Sequence, residues 1–392
     1  MSESKPKKTI IMFSTADWDN PFWTNKQHMA IRLGREGYRV IYIESIGLRR
    51  PGLNASDFRR VFSRLKRLTS MLRKVEKNVW IFTPFVIPFH SIPGVRTLNK
   101  WILRSSFTII QKTLGTDETW VWTYHPLVID YLNFLKPKSL IYHSVDDLSA
   151  APRFPKEDIL KAEYELLQIA THIFVTSISL REKYQQQTNT PIYYFPNVAD
   201  YEHFSLATKA STEVPEDLVK IARPRIGFIG AVSGYKVDFH LIGKVARKRP
   251  EWQWILIGKI GEGDPDTDIS LLDLPNIHLI GPRAYSELPS YLKGFDVVVI
   301  PCNKNEYTKS MFPMKFFEYL AAEKLIVTTE IPSLRDFRSL FIEARDELDF
   351  EISIEKVLNN EVKFTDEMRI TAQTNTWENR LSKMLSVLGE TK

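Results

Sequence analysis

Short apolar runs alternate with longer amphipathic segments along the whole chain, and this alternation leaves few folds open. In the N-terminal half, six runs rich in β-branched and aromatic residues have the length of buried parallel strands. These runs are Thr9–Ser14, Tyr38–Ile43, Val79–Thr83, Trp120–Thr123, Leu140–His143 and Ile173–Thr176. A helical segment, Trp23–Arg35, separates the first two runs and ends before Gly37. The pattern predicts a doubly wound parallel α/β sheet.

The same alternation starts again after a polar region, Ala207–Pro224. Five more strands are predicted at Arg225–Ile229, Trp254–Ile257, Ile277–Ile280, Val297–Ile300 and Leu325–Thr328. We therefore expect two Rossmann-like domains, at residues 1–200 and 201–376, that face each other across a cleft. Residues 377–392 show a helical apolar stripe and form a C-terminal helix that can pack back on the first domain.

The composition indicates a folded enzyme-sized protein. Of the 392 residues, 43% are hydrophobic and 26% are charged, values close to those of soluble globular proteins. One cysteine, Cys302, excludes an internal disulfide framework and fits a reducing compartment. We found neither an apolar run of the roughly 18 residues that a spanning helix needs nor a secretion signal. The sequence therefore predicts a cytoplasmic protein.

Positive charge is concentrated between Phe58 and Lys74, which contain seven basic residues and no acidic one. Apolar residues recur there every three or four positions, which predicts an amphipathic helix. Such a helix can lie on an anionic membrane surface. It can also pack its apolar side on the sheet, while nucleic-acid binding is disfavoured because no nucleic-acid module accompanies it. We expect residues 58–74 to contact the inner face of the cell membrane.

The segment from Ser310 to Lys324 carries the clearest chemical signal. Pro313 suits the first turn of a helix, and a helix start presents N–H groups and a positive dipole end to a diphosphate. Lys315 adds a cation, and Glu318 can accept hydrogen bonds from the two vicinal hydroxyls of a ribose. We expect Glu318 to face a different side of the helix from Lys315. The same letters also fit a helix packed on the sheet with both charges in water.

This segment resembles the donor-site helix of GT-B glycosyltransferases related to family 4, which read roughly Pro-x-Lys-x-x-Glu-Tyr-x-Ala. The resemblance extends to Gly281–Pro301, Phe195–Phe204 and Ala170–Leu180, in the family order. It implies that Glu318 binds the donor ribose and that the backbone from Ser310 to Pro313 receives the diphosphate. Family members commonly carry a second Glu eight residues before the first, where this chain has Ser310.

Two further positions in the second half are candidates for donor binding. Gly230 and Lys236 belong to a glycine-containing loop after the first strand, where backbone and cation can approach a phosphate. An ordinary strand-to-helix turn explains the same sequence. Arg283 lies where family members hold the nucleotide base.

The first half carries candidate acceptor groups at predicted strand ends. Asp147, or Asp146, is the candidate general base for an inverting reaction, and His143 is the substitute. Both carboxylates can instead cap the following helix. His125 lies at the end of another predicted strand and is a candidate acceptor-binding residue.

A second acceptor candidate follows the first strand, where GT-B enzymes approach donor phosphate and acceptor. Asp17 and Asp19 are predicted to orient sugar hydroxyls, and Trp18 to stack on a sugar ring. A capped turn packed by aromatic side chains explains these residues equally well.

No His or Cys cluster has metal-ligand spacing, and the alternating Asp264, Asp266 and Asp268 lie in a Gly- and Pro-containing loop typical of solvated surface, so we expect no metal. The resemblance implies a glycosyltransferase that moves sugar from a nucleotide diphosphate sugar to a membrane-associated or lipid-linked glycan in cell-surface polysaccharide biosynthesis. A GT-B sugar-nucleotide epimerase and a non-catalytic nucleotide-sugar-binding protein are the alternatives.

Overall fold

The computed structural model describes residues 6–20, 23–45, 72–84, 94–114, 118–152 and 154–390. The chain divides into two compact units. The N-terminal unit takes in the chain up to Phe195 together with residues from Leu388 onwards, and the C-terminal unit is Pro196–Val387.

The N-terminal unit is built on a sheet whose described strands follow the order β3-β4-β2-β1-β5-β6-β7-β8. The strands are β1 (Thr9–Phe13), β2 (Arg39–Ile43), β3 (Leu72–Glu76), β4 (Val79–Phe82), β5 (Thr119–Thr123), β6 (Ser139–Ser144), β7 (His172–Val175) and β8 (Ile192–Tyr194). Only the pairing of β3 with β4 is antiparallel among these strands. The six strands predicted for this half are therefore confirmed.

Helices cover both faces of this sheet. Those described are α1 (Asn25–Arg35), α2 (Val95–Leu114), α3 (Leu132–Leu135), α4 (Lys156–Ile169) and α5 (Ile178–Gln185), with 3-10 turns at Pro126–Tyr131 and Leu148–Ala150. The predicted first helix is confirmed as α1 and is followed by Gly37 at φ +92°, a left-handed conformation that glycine adopts without strain.

Most of the predicted basic helix, residues 58–71, lies outside the described residues. Its last part is not helical, because residues 72–74 open strand β3. There the antiparallel pairing with β4 overrides a spacing that suits a helix. Arg73 forms an ion pair with Asp19, with 2.7 Å between nitrogen and oxygen. The prediction of a helix is therefore wrong for residues 72–74.

The C-terminal unit contains a second sheet, with the parallel order β11-β10-β9-β12-β13-β14 among the described strands. The strands are β9 (Arg225–Ile229), β10 (Gln253–Ile257), β11 (Ile277–Gly281), β12 (Val297–Ile300), β13 (Ile326–Thr329) and β14 (Ile342–Ala344). The five predicted strands are confirmed, and the short edge strand β14 was not predicted.

The helices of this unit pack on both faces of its sheet. Those described are α6 (Tyr201–Phe204), α7 (Glu216–Val219), α8 (Phe239–Lys248), α9 (Leu288–Gly294), α10 (Glu306–Ser310), α11 (Lys315–Ala321), α12 (Glu347–Leu358), α13 (Asp366–Thr374) and α14 (Trp377–Val387). Four 3-10 segments join them, at Ser205–Thr208, Ser270–Leu272, Tyr285–Glu287 and Pro332–Leu340.

The predicted stripe of the C-terminal helix is buried at Trp377, Leu381, Met384 and Leu385. This helix, α14, groups with the C-terminal unit, whereas the residues from Leu388 onwards group with the N-terminal unit. Within the described parts of the chain, we found no helix long and apolar enough to cross a membrane.

Candidate functional site

Two glycines shape the carboxyl edge of the C-terminal sheet. Gly230 follows β9 at φ +150°, and Gly258 follows β10 at φ +156°. A Cβ atom on Gly258 would lie 1.7 Å from the Gly230 carbonyl oxygen, and a Cβ atom on Gly230 would lie 2.9 Å from Nζ of Lys315. A side chain at either position would therefore collide with its surroundings. The glycines bring these two loops together and leave space beside the Lys315 ammonium.

The loop after β9 is held by two asparagines in the loop after β12. The Asn303 side-chain amide donates to the carbonyl oxygen of Val237 at 3.1 Å, and the Asn305 amide donates to that of Tyr235 at 2.7 Å. These bonds satisfy loop carbonyls that no strand partner reaches. They also fix the backbone on both sides of Lys236.

Lys236 lies over two aromatic rings. Its Nζ is 5.2 Å from the ring centroid of Tyr235 and 5.3 Å from that of Tyr307, and the two rings meet edge to face. Cation–π attraction of this kind holds a lysine in place without neutralising its charge. These two rings therefore hold the ammonium of Lys236 at this edge of the sheet.

Helix α11 is fixed against β9 by its aromatic residues. Phe316 and Phe317 are buried in the core, and the Tyr319 hydroxyl accepts a hydrogen bond from the Ile229 N–H at 2.8 Å. The helix begins at Lys315, two residues after the predicted start at Pro313, although the Pro313 carbonyl accepts from the Phe316 N–H at 3.1 Å. Pro313 therefore belongs to the turn that leads into the helix.

Lys315 and Glu318 influence each other electrostatically. Burial raises the pKa of Glu318 to about 7, and the positive charge of Lys315 opposes that rise. Burial lowers the pKa of Lys315. The prediction that the two side chains face different sides is wrong, because residues three apart are neighbours on a helix surface. No hydrogen bond or ion pair from a described residue reaches the Glu318 carboxylate.

The positive charges of Lys315 and Lys236 both affect the pKa of the Cys302 thiol. Burial raises the pKa of the Cys302 thiol to about 11, and both ammonium groups oppose this rise. Lys236 also lowers the pKa of Lys315, whereas Glu318 raises it. Two lysines that disfavour each other's charge form a site that an anion between them would stabilise.

Two other predicted donor residues have different surroundings. Ser310 is buried at the end of α10. The Arg283 guanidinium donates to the Asp217 carboxylate at 2.9 Å and to the Tyr291 hydroxyl at 2.6 Å. Because these contacts occupy the Arg283 side chain, only the backbone around it is left for a nucleotide base.

In the N-terminal unit, His125 follows β5 and is fully buried. Neither ring nitrogen has a hydrogen-bond partner among the described residues. Burial lowers the pKa of His125 to about 3, so its imidazole is neutral at pH 7. An unsatisfied buried polar group costs about 1–3 kcal/mol, which a ligand hydroxyl could recover.

The three candidate bases differ in their contacts. Asp147 caps the turn Leu148–Ala150 by accepting from the Ser149 N–H at 3.0 Å, so the structure shows the capping alternative. His143 is buried, and its Nδ1 accepts from the Trp122 indole at 3.3 Å. Asp146 is half-buried.

A buried ion-pair network anchors the Asp147 loop. Lys183 lies 3.1 Å from both Asp147 and Glu163, and the Glu163 carboxylate accepts from the hydroxyls of Tyr142 and Tyr184. The Glu163 side chain is only 3% exposed. Its negative charge therefore depends on Lys183.

We predict that Lys183→Met lowers the free energy of unfolding by about 3–5 kcal/mol, because it leaves a buried carboxylate unpaired. The control is Lys138→Met, whose ion pair with Glu118 is exposed to solvent, and its loss of stability should be much smaller. Urea unfolding followed by circular dichroism measures both values. Equal losses in the two variants would contradict this interpretation of the network.

The acceptor candidates after β1 are engaged in the fold. Trp18 is 8% exposed and its ring packs edge to face on Tyr42, and its backbone N–H donates to the Glu44 carboxylate at 2.9 Å. Asp19 binds Arg73. Asp17 is exposed, and its backbone carbonyl oxygen accepts a hydrogen bond from the Gln27 side-chain amide at 3.2 Å.

Three contributors to the donor-side geometry were not predicted as site residues. Gly258 and Tyr319 fix the backbone and helix, and the Phe228 ring lies 4.9 Å from Nζ of Lys315. The Glu-Tyr pair in the helix motif was the available signal for Tyr319. Among the described residues, no group of three or more His, Cys, Asp or Glu side chains is arranged to hold a metal ion.

Comparison with protein families places the donor-side residues in one region. Residues 223–360 match the model of the family described as "Glycosyl transferases group 1". The chain is also 28% identical over 269 residues to a Bacillus subtilis (strain 168) protein named for teichuronic acid biosynthesis, the glycosyltransferase TuaH. That match covers 64% of this chain and 66% of the relative, which is just under two thirds of its length.

Solved structures show the same fold at low sequence identity. Sucrose-phosphate synthase from Thermosynechococcus elongatus has a TM-score of 0.70 and 13% identity, with 98% of this chain and 99% of that chain covered. Anabaena HepE in complex with UDP and glucose has a TM-score of 0.65 and 13% identity, with 96% and 99% covered. This similarity shows the two-domain GT-B fold.

Proposed function

We propose that the chain is a group 1 glycosyltransferase of GT-B fold and that it transfers a sugar from a nucleoside diphosphate sugar to a glycan acceptor. The observation that carries this proposal is the Glu318 carboxylate, which no described residue binds and which lies on the same helix as Lys315. The name of TuaH supports an acceptor in polysaccharide biosynthesis, and the UDP and glucose bound to HepE support a UDP-sugar donor.

In this proposal the C-terminal unit binds the donor. Glu318 accepts hydrogen bonds from the two ribose hydroxyls, and Lys315 and Lys236 bind the diphosphate beside Gly230. As the sugar leaves, negative charge grows on the diphosphate, and two fixed ammonium groups stabilise it without rearranging. We propose that these lysines make a metal unnecessary.

We propose that the N-terminal unit binds the acceptor and the transferred sugar. His125, neutral and without a hydrogen-bond partner, is suited to bond a sugar hydroxyl. If the enzyme inverts configuration, Asp147 or Asp146 is the candidate base, with His143 as the substitute. The acceptor is a membrane-associated or lipid-linked glycan, reached from the cytoplasmic side with help from residues 58–74.

A donor screen tests the proposal. The full chain is incubated with UDP-glucose, UDP-galactose, UDP-N-acetylglucosamine and GDP-mannose in a chelator, with and without an oligosaccharide acceptor. We expect nucleoside diphosphate release with at least one donor and a product larger by one sugar with the acceptor. A new sugar nucleotide formed without acceptor would indicate an epimerase. Absence of nucleotide binding and turnover would indicate that the chain is not a transferase.

A further inference from the structure

Helix α2 exposes a row of large apolar side chains. Leu98, Trp101 and Ile109 are 46%, 69% and 64% exposed, and their spacing places them on one side of the helix. The other side carries Leu103, Phe107 and Ile110, which are buried in the core of the N-terminal unit. Packing on the sheet therefore accounts for one apolar face of α2, and the described residues leave the second face uncovered.

The charge of α2 restricts what can cover this face. Its sequence contains no Asp or Glu. Arg104 and Lys112 are exposed beside the apolar row, and Lys100 pairs with Asp130 at 2.9 Å. A surface that combines tryptophan, aliphatic side chains and only positive charge complements anionic lipid headgroups above an apolar layer.

Helix α4 provides a contrast within the same layer, because both helices pack on one core cluster. Its Tyr164 and Ile169 are 55% and 52% exposed, so its outer surface is apolar as well. It also exposes three acidic residues, Glu157, Asp158 and Glu165, against two lysines, Lys156 and Lys161, so its exposed charge is negative by one, whereas that of α2 is positive. Negative charge on α4 would repel an anionic membrane. Both outer faces expose apolar side chains, so it is the sign of their charge that distinguishes α2 from α4 as a membrane-binding face.

We propose that the outer face of α2 docks on an anionic lipid bilayer. Trp101, Leu98 and Ile109 enter the headgroup region, and Arg104 and Lys112 contact lipid phosphates. The docking would bring the enzyme to a lipid-linked acceptor. This role of the docking rests on the proposed function. The docking is separate from the contact proposed for residues 58–74.

Vesicle sedimentation tests the docking. The full-length chain is mixed with vesicles of phosphatidylcholine alone or with about one third phosphatidylglycerol. We expect binding to the anionic vesicles, a partition coefficient about tenfold lower for Trp101→Ser, and a further loss for Trp101→Ser with Ile109→Ser. Tyr164→Ser on α4 is the matched control and should bind like the wild-type chain.

Three outcomes would overturn the docking. They are failure of the wild-type chain to bind anionic vesicles, unchanged binding by Trp101→Ser, and an equal loss in Tyr164→Ser. Sedimentation velocity without lipid tests whether a second copy of the chain covers this face instead. If the wild-type chain is a dimer and Trp101→Ser dissociates it, the face is a dimer interface and the membrane docking is overturned. Nucleotide binding by the same variants shows that they are folded. Vesicle binding without any transferase activity would leave the docking in place and contradict only the proposed reaction.

Discussion

Glu318→Gln lowers kcat/KM for the sugar donor by roughly 100-fold, because it weakens two hydrogen bonds that a charged acceptor makes with the ribose hydroxyls. The amide keeps the size of the side chain, so the loss reports charge and acceptor capacity. Initial rates with the best donor from the screen measure it. The control is Glu323→Gln, whose carboxylate pairs with Arg369 at the other end of the helix and should leave kcat/KM unchanged.

The same variant should not be destabilised. The pKa of Glu318 is about 7 in the folded chain, above its usual value of 4.5. A raised carboxyl pKa means that the folded state holds the proton more tightly, so the wild type loses stability as pH rises from about 4.5 to 7. Glu318→Gln removes this loss, and its melting temperature at pH 8 should equal or exceed that of the wild type. A marked fall would mean that Glu318 is a structural residue.

Donor binding should have the opposite pH dependence. The ionised carboxylate is the better acceptor, so affinity for the donor should rise between pH 6 and 8 as Glu318 loses its proton. In Glu318→Gln this rise should disappear. A rise that persists in the variant would belong to another group.

His125→Leu is expected to lower transfer about 10- to 100-fold while leaving the chain as stable as the wild type or more so. The substitution removes two buried nitrogens that have no hydrogen-bond partner, which gains on the order of 1 kcal/mol. It also removes the group proposed to bind a sugar hydroxyl. Sugar-transfer rates and thermal unfolding, measured on the same preparation, test both parts.

His143→Leu is the matched control for a buried histidine. Its Nδ1 accepts from the Trp122 indole, so the substitution leaves that donor unsatisfied and should cost about 1–3 kcal/mol of stability. If His125→Leu were as destabilising as His143→Leu, or if it transferred sugar at the wild-type rate, His125 would have no role in binding.

The strands could be predicted because buried parallel strands are continuous apolar runs, and this signal needs no tertiary information. Residues 72–74 show its limit, since their spacing suits a helix but β4 offers them a strand partner. The short edge strands β8 and β14 lacked a long apolar run. The motif around Pro313 was enough to predict the helix that the structure shows at Lys315–Ala321.

Side-chain partners were less predictable. In a sequence, an aspartate that caps a turn cannot be distinguished from one that acts as a base. The contacts of Asp147 with Lys183 and Ser149 are visible only in the structure. Arg283 pairs with Asp217, which lies far away in the sequence. The missing hydrogen-bond partners of His125 likewise depend on the packed structure.

The central claim is that Glu318 binds the ribose of a nucleoside diphosphate, and a calorimetric titration tests it most directly. UDP, GDP and ADP are titrated in a chelator into the wild-type chain and Glu318→Gln, followed by the 2′,3′-dideoxy form of the tightest ligand. The account predicts that the wild type binds the ribose form roughly 100-fold more tightly than the dideoxy form and that Glu318→Gln barely distinguishes them. Equal discrimination by both proteins, or no nucleotide binding by the wild type, would contradict it.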